Sequence, residues 1–477
     1  MGMVDDTLEP RLQAIARAGG FERGLVEQLG QWIRSAPDEA LFRVNALAWA
    51  QSRGVEEQLA LDLFLHAANA GVFDISWGVI CPSCAILITA LGGLKSINTT
   101  TFCRLCQQGF QSALDDNIEV SFSIAPAIRR LRFYDESRLS LRHDADILFF
   151  SPSTRETALR RWLANSVITD ATLAPRATRT LEFTSAPGEF AAFSPNIHAL
   201  TYFKVTPDGP TRLSLDLLDQ GFIPPEGELG AGTITLTVRN LTNLLLPVGV
   251  LYFADQGPEH IVDLAPFLTG KQLLSSQTFR RLFRTETVGG QSGLQLKTLT
   301  VLFTDLKAST ALYERVGDLQ ALDIVRRHFD AVGEIITRER GAIVKTIGDA
   351  VMAVFAEPER ALIAAVRMEQ AVASLPGSEL ELKIGLHTGP CIAVQSNHQL
   401  DYFGRTVNIA ARVQSIAGAR EIVCTEALWR LPGIAPLVAG WDVRLSRDVV
   451  RLKGIEEAVE VVRLRAASSA FLGPEEG

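Results

Sequence analysis

Two aspartates stand where a chain could carry out metal-assisted chemistry. Asp305 follows the apolar run Thr300-Val301-Leu302-Phe303. Asp349 sits in a Gly348-Asp349 turn, between runs that end at Ile347 and start at Val351. Short β-branched runs of this kind read as strands, so both carboxylates are expected at neighbouring strand ends. Such a pair suits Mg²⁺ or Mn²⁺, hard cations that take oxygen ligands. Two ions of this type serve phosphoryl and nucleotidyl transfer by neutralising charge and aligning the displaced groups. The run Leu306-Lys307-Ala308-Ser309-Thr310 is expected to enter a helix, with its first N–H groups facing a triphosphate. Taken singly, each aspartate reads more often as a turn or cap residue than as a metal ligand.

Three segments, in this order, give the aspartates a context: Phe303-Thr304-Asp305-Leu306-Lys307-Ala308-Ser309-Thr310, Lys345-Thr346-Ile347-Gly348-Asp349-Ala350 and Asp401-Tyr402-Phe403-Gly404-Arg405-Thr406-Val407-Asn408-Ile409-Ala410-Ala411-Arg412. Together they closely resemble the catalytic domain of class III nucleotidyl cyclases, over roughly residues 296–464. The resemblance implies a metal site formed by Asp305, Leu306 and Asp349, for two Mg²⁺ or Mn²⁺ ions per active site. It implies substrate contacts from Lys345 and Asp401 to the base, and from Ser309, Thr310 and Lys453 to the phosphates. Asn408 and Arg412 match the residues that orient the ribose and stabilise the transition state. In that family the nucleotide lies between two catalytic domains. Asp305 and Asp349 come from one, and Lys345, Asp401, Asn408 and Arg412 from the other. Residues 1–295 hold no second copy of the motifs, so a head-to-tail homodimer is implied. Relatives often carry Gly where Ala308 stands, and a Cβ there restricts close backbone approach.

The base-contact residues make chemical sense on their own terms. A lysine donates to adenine N1, and an aspartate accepts from the exocyclic amino group. Guanine presents the reverse pattern, a donor at N1 and an acceptor at O6. The expected activity is therefore that of an adenylate cyclase, converting ATP to cyclic AMP and diphosphate. Asn408 and Arg412 are four residues apart, which on a helix puts them on one face. A preorganised group like this arginine, set over developing charge, is worth on the order of 3–4 kcal/mol. Read alone, Lys345 is a solvated strand residue and Arg412 a helix cap. The alternatives are a guanylate cyclase or a catalytically weak cyclase-homology scaffold that signals by contact.

Cys81-Pro-Ser-Cys84 and Cys103-Arg-Leu-Cys106 are separated by eighteen residues, the spacing of a four-cysteine zinc ribbon. One structural Zn²⁺ per chain is expected from Cys81, Cys84, Cys103 and Cys106. Free core thiols or a redox pair are the competing readings. The N-terminal region is also similar to an uncharacterised module found ahead of cyclase domains.

The pattern of elements divides the chain. Residues 1–76 are expected to be helical, with the helix, turn, helix, strand order of a winged helix. The candidate reading helix begins Glu56-Glu57 and carries no Arg or Lys, and DNA affinity rests chiefly on neutralising phosphates. A packing module is favoured. Residues 77–122 form the zinc ribbon. Residues 123–258, with short alternating runs and turns such as Pro207-Asp208-Gly209-Pro210, read as an antiparallel β sandwich that serves in scaffolding or binds an unidentified regulatory ligand or protein. Residues 259–295 are a helical transducer and linker, with an apolar stripe of Leu273, Leu274, Phe279, Leu282 and Phe283 open to pairing with its twin. Residues 296–466 are a ferredoxin-like α+β catalytic domain in split-βαβ order, and 467–477 a tail. The fold class is thus multidomain.

Bulk properties bound the partners. The 477 residues exceed what one core supports. With 46 basic and 54 acidic residues, net charge −8 and pI near 5.6, neither nucleic acid nor an anionic membrane surface is expected as a partner. No stretch reads as a membrane span or a signal peptide. The cysteine usage fits a reducing cytoplasm.

Overall fold

The structure, a computed structural model, describes residues 2–155, 158–253, 263–284, 293–307, 314–315, 317–375, 380–396 and 399–466. Its contacts divide the chain into two compact units, residues 1–112 with 116–269, and residues 113–115 with 270–477.

The first unit opens with helices Gly2–Gly19, Arg23–Ser35, Ala46–Gln51 and Glu57–Asn69. Asn45 caps the third by accepting from the N–H groups of Leu47 and Ala48. Glu57–Asn69 buries Ala60, Leu61, Leu63, Phe64 and Leu65. The ring of Phe64 lies 5.3 Å from that of Trp49 and 5.1 Å from that of Phe122. Phe122 belongs to strand Ile118–Ile124, at one edge of a three-stranded sheet with Phe73–Ile80 and Leu87–Leu91. The second cysteine pair, Cys103 and Cys106, sits at the tip of a two-stranded hairpin, Thr100–Cys103 with Gln108–Gln111.

The region expected to be strands throughout contains two helices, Leu141–Phe149 and Ala158–Ser166. In the first, Leu141, Ala145 and Phe149 are buried at four-residue spacing, one face of a helix. The strands that follow form a four-stranded and a five-stranded sheet. In Gly232–Asn240 the buried Ile234, Leu236 and Val238 alternate with threonines, the period-2 pattern of a sheet with one face inward. They share a core with Phe190, Phe203 and Val248 of the other sheet. The pairing is not purely antiparallel as expected. Arg212–Leu218 runs parallel to Gly232–Asn240, and Ala199–Thr206 parallel to Glu226–Gly230. The chain crosses from one sheet to the other at Pro224-Pro225, between Gly221–Ile223 and Glu226–Gly230, and so returns in the same direction.

The second unit is built on one mixed sheet. Its order is Gly341–Ile347, Ala350–Phe355, Leu294–Lys307, Glu381–Ser396, Glu421–Thr425, Val459–Ala466 and Val443–Val450, with Gln399–Phe403 paired to the far half of Glu381–Ser396. Helices Asp318–Arg338 and Pro358–Ala373 cover one face, where Val325, Ile336, Leu362 and Val366 join Leu302 and Val351 in a shared core. Each fully buried aliphatic side chain there contributes on the order of 1.5–3 kcal/mol.

Two expectations change here. Strand Leu294–Lys307 is longer than the Thr298–Phe303 its apolar run suggested, so Asp305 lies within it, and Leu306 and Lys307 continue the strand instead of entering a helix. The cause is the partner strand, whose ladder extends through Asp305 opposite Lys383 to Lys307 opposite Glu381. The transducer stripe also differs. It forms two short helices, Gly270–Leu274 and Gln277–Leu282, parted where Ser276 caps the second. Leu273, Leu274 and Phe279 are buried in their own unit, so they are not open to pairing with a twin.

Candidate active site

Strand register brings the two carboxylates expected to bind metal, Asp305 and Asp349, to neighbouring strand ends. Thr304 pairs with Val351 across adjacent strands, and the next step along that ladder carries Asp305 to the turn that holds Asp349. Gly348 takes φ +64° in this turn, a left-handed conformation that glycine adopts without steric cost. The Asp349 Oδ2 atom is buried without a hydrogen-bond partner among the described residues. His328 does not neutralise it, because burial pushes that imidazole down to about 4 against the pull of Asp349. Asp305 meets Lys383 Nζ at 3.7 Å, a loose ion pair. A buried carboxylate oxygen with no partner is costly, and this donor set of carboxylates fits a divalent cation. Lys383 was not singled out in the sequence. It is opposite Asp305 only because of a long-range strand pairing. Leu306 follows Asp305 and is buried.

Lys345 and Asp401, the residues expected to contact the base, come together across 56 positions of sequence. Lys345 Nζ donates to Asp401 Oδ2 at 2.6 Å. Lys345 stands on strand Gly341–Ile347, which pairs with Ala350–Phe355, and Asp401 on Gln399–Phe403. The segment of helices Gly270–Leu274 and Gln277–Leu282 holds both strands. Gln277 Oε1 accepts from the Ile343 N–H at 2.8 Å, Arg280 Nη2 donates to the Leu400 carbonyl at 2.5 Å, and the Tyr402 hydroxyl donates to the Leu274 carbonyl at 3.1 Å. Arg280 also lies over the Tyr402 ring, 5.8 Å from its centre. The sequence showed only an apolar stripe here, and these polar links depend on where the segment docks.

Asn408 and Arg412 lie on helix Arg405–Ser415, both exposed, as their spacing implied. This helix packs close against strand Glu381–Ser396 because Gly385 lacks a side chain. A Cβ on Gly385 would fall 2.2 Å from Gln414 N. The helix's other contacts, Ile409 and Val413, share a small core with Leu452. Lys453 follows Leu452 in an exposed turn, so the same packing ties it to the Asn408 helix. Ser309 and Thr310, and Ala308 before them, lie outside the described residues.

In the first unit, Cys81, Cys84, Cys103 and Cys106 converge, with all four Sγ atoms within 4.8 Å of one another. Cys81 is 3.9 Å from Cys106, and Cys84 is 3.8 Å from Cys103. A tetrahedral site with Zn–S bonds of about 2.3 Å has edges of about 3.8 Å, so the thiols fit that ion. Hydrogen bonds from Cys103 and Cys84 push the Cys81 thiol down, while the same crowding and burial push Cys84, Cys103 and Cys106 up, so it is the convergence of the four sulfurs that points to a metal.

Residues 9–281, more than half of the chain, match the family described as "Family of unknown function (DUF5939)", and residues 294–454 match "Adenylate and Guanylate cyclase catalytic domain". An uncharacterized protein of Mycobacterium tuberculosis is 32% identical over 165 residues, 34% of this chain and 40% of that protein. A receptor-type adenylate cyclase of Trypanosoma brucei brucei is 27% identical over 213 residues, 36% of this chain and 17% of that protein. The chain thus spans well under two thirds of these relatives. A solved structure of adenylate cyclases from Trypanosoma brucei in their monomeric state shares 25% identity over 38% of this chain and 96% of that one, with a TM-score of 0.32. The chain belongs to the DUF5939 family of unknown function and carries, at residues 294–454, an adenylate and guanylate cyclase catalytic domain.

Proposed function

We propose that the catalytic domain is an adenylate cyclase that converts ATP to 3′,5′-cyclic AMP and diphosphate at a site shared by two copies of the chain. The observation that carries the base preference is the Lys345–Asp401 contact at 2.6 Å. It presents a donor beside an acceptor, the complement of adenine N1 and its amino group. In the reaction the ribose 3′-oxygen attacks the α-phosphorus. The bond from that phosphorus to the oxygen bridging the β-phosphate breaks, diphosphate leaves, and the hydroxyl proton is lost. Asp305 and Asp349, with Leu306 between them and the phosphate contacts, would hold two metal ions. Bound there, Mg²⁺ or Mn²⁺ supplies charge neutralisation for the triphosphate. Asn408 orients the ribose, Arg412 stabilises charge on the α-phosphate, and Ser309, Thr310 and Lys453 hold the remaining phosphates.

Sharing between copies follows from how the residues are dispersed. Lys345 and Asp349 are four positions apart on one hairpin, on the order of 10 Å along a strand. Beside them, Ile347 is 55% and Phe403 69% exposed. Large apolar side chains bared next to polar site residues mark an interaction surface, and a second copy, related head to tail, is the partner proposed. The N-terminal unit serves regulation or scaffolding, with Cys81, Cys84, Cys103 and Cys106 holding one structural Zn²⁺. The six cysteines are free thiols in the structure, and a reducing cytoplasm is the proposed location. Among the described residues no helix is long and apolar enough to cross a membrane.

Two inactive variants, Asp305→Ala and Asn408→Ala, test the shared site. Random mixing makes about half the dimers mixed, each with one intact site, so roughly a quarter of wild-type activity should return. Exchange of chains with no recovery of activity contradicts the proposal.

A further inference from the structure

The N-terminal unit contains a cavity of about 410 Å³, away from the cysteine cluster. Its walls include Phe42, Phe133, Tyr134, Leu139, Leu148 and Leu246, contributed by the helical segments and the β-rich part. Its size lies within the range of small-molecule sites. The aromatic side is ordered. The Phe42 ring is 5.1 Å from that of Phe133, and 5.9 Å from that of Tyr134 in an edge-to-face arrangement.

One charged group lines this cavity, Arg43, among the aromatic and aliphatic side chains and the polar Thr89 and Asn196. Its backbone holds φ +52°, a conformation unfavourable for a residue with a side chain. The segment is pinned on both sides, by the Arg43 N–H donating to Ser123 Oγ at 2.9 Å and by Val44 paired with Phe122. The guanidinium stacks 4.9 Å from the Phe42 ring centre and donates from Nη1 to the Ile147 carbonyl at 2.8 Å. Capping that carbonyl uses one of its five N–H donors. Among the described residues no carboxylate lies within 4.0 Å of it. Burial lowers Arg43 to about 10, which leaves it cationic at neutral pH. Burial also raises the nearby Glu119 to about 7, so that residue offsets the charge only in part.

We propose that this cavity is a binding site for a compact, largely aromatic or apolar carboxylate, with the acid group on Arg43 and the hydrocarbon body between Phe42, Phe133 and Leu246. Arginine's planar fork matches a carboxylate with two parallel hydrogen bonds. The aromatic and aliphatic side chains of the lining suit a hydrocarbon body better than a fully hydrated anion such as inorganic phosphate. The proposal does not depend on the activity of the catalytic domain.

Calorimetric titration of the full chain with 2-naphthoate, 2-naphthalenemethanol and 2-naphthylmethylamine tests it. These probes share a ring system and differ in head-group charge. The expected result is saturable binding of one naphthoate per chain, at least roughly tenfold weaker binding of the alcohol, and no binding of the amine. Arg43→Met should reduce naphthoate to the affinity of the alcohol. Ala90→Trp, at an exposed lining position remote from the guanidinium hydrogen bond, should weaken both probes by filling the space, and it keeps the test decisive if Arg43→Met does not fold. Absence of naphthoate binding to the wild-type chain, equal binding of the amine, or unchanged naphthoate affinity in Ala90→Trp and Arg43→Met overturns the proposal.

Discussion

Lys345 and Asp401 meet as donor and acceptor at 2.6 Å, which links the strand before the Gly348-Asp349 turn to the strand before the Asn408 helix. Both side chains are partly open to solvent, so as a surface ion pair the contact stabilises the fold by no more than about 1 kcal/mol. In the proposed function it holds two opposite hydrogen-bonding groups ready for a base. Lys345→Glu should therefore leave the melting temperature within a few degrees of wild type and lower kcat/KM for ATP roughly tenfold to hundredfold, the range for losing a hydrogen bond from a charged group. Steady-state kinetics with ATP and GTP reads this directly. Unchanged ATP kinetics contradict the assignment.

Asp349 should separate stability from activity. Its buried Oδ2 has no hydrogen-bond partner among the described residues, so removing the carboxylate relieves a desolvation cost. Asp349→Ala is expected to abolish cyclisation while the melting temperature stays equal to or rises above that of wild type. An inactive protein with a much lower melting temperature would mean that Asp349 is structural.

Gly385 controls how close the Asn408 and Arg412 helix lies to the sheet. An added methyl would overlap the Gln414 backbone, and backbone cannot rotate away as a side chain can. Gly385→Ala should shift the helix, lower kcat at least tenfold through misplacement of Arg412, and leave metal dependence unchanged. Wild-type kcat in a folded Gly385→Ala protein contradicts this role.

The thiol cluster should contain one zinc per chain in protein purified without chelator. Structural zinc contributes ~10–16 kcal/mol to folding in small domains. Its removal, or Cys84→Ser, is expected to unfold the hairpin Thr100–Cys103 and Gln108–Gln111 and the elements packed on it, seen as a loss of hydrogen-exchange protection there. Elemental analysis finding no zinc, or protection unchanged after chelation, rules out the structural role.

The catalytic unit was largely legible in the sequence. Helix Pro358–Ala373 carries its signals locally, in its apolar period and in the proline at its start. The reach of strand Leu294–Lys307, the Lys383 contact and the need for Gly385 were not legible. Each is set by a partner strand or helix distant in sequence. The helix Leu141–Phe149 was missed although Leu141, Ala145 and Phe149 already had helical spacing. Strand-like neighbours on both sides outweighed a nine-residue signal. The parallel pairs of the β-rich part depend on a crossing between sheets that no local pattern encodes. The cysteines converged as their spacing implied, whereas Arg43 gave no signal, because its cavity forms only when separate elements pack.

The most direct test of the central claim is product identification. Purified full-length protein is incubated with Mn²⁺ or Mg²⁺ and either ATP or GTP, and the cyclic nucleotides are quantified. The account predicts metal-dependent formation of cyclic AMP from ATP, with kcat/KM for ATP well above that for GTP. Cyclic GMP as the main product, or no cyclic nucleotide from either substrate with either metal, would contradict it.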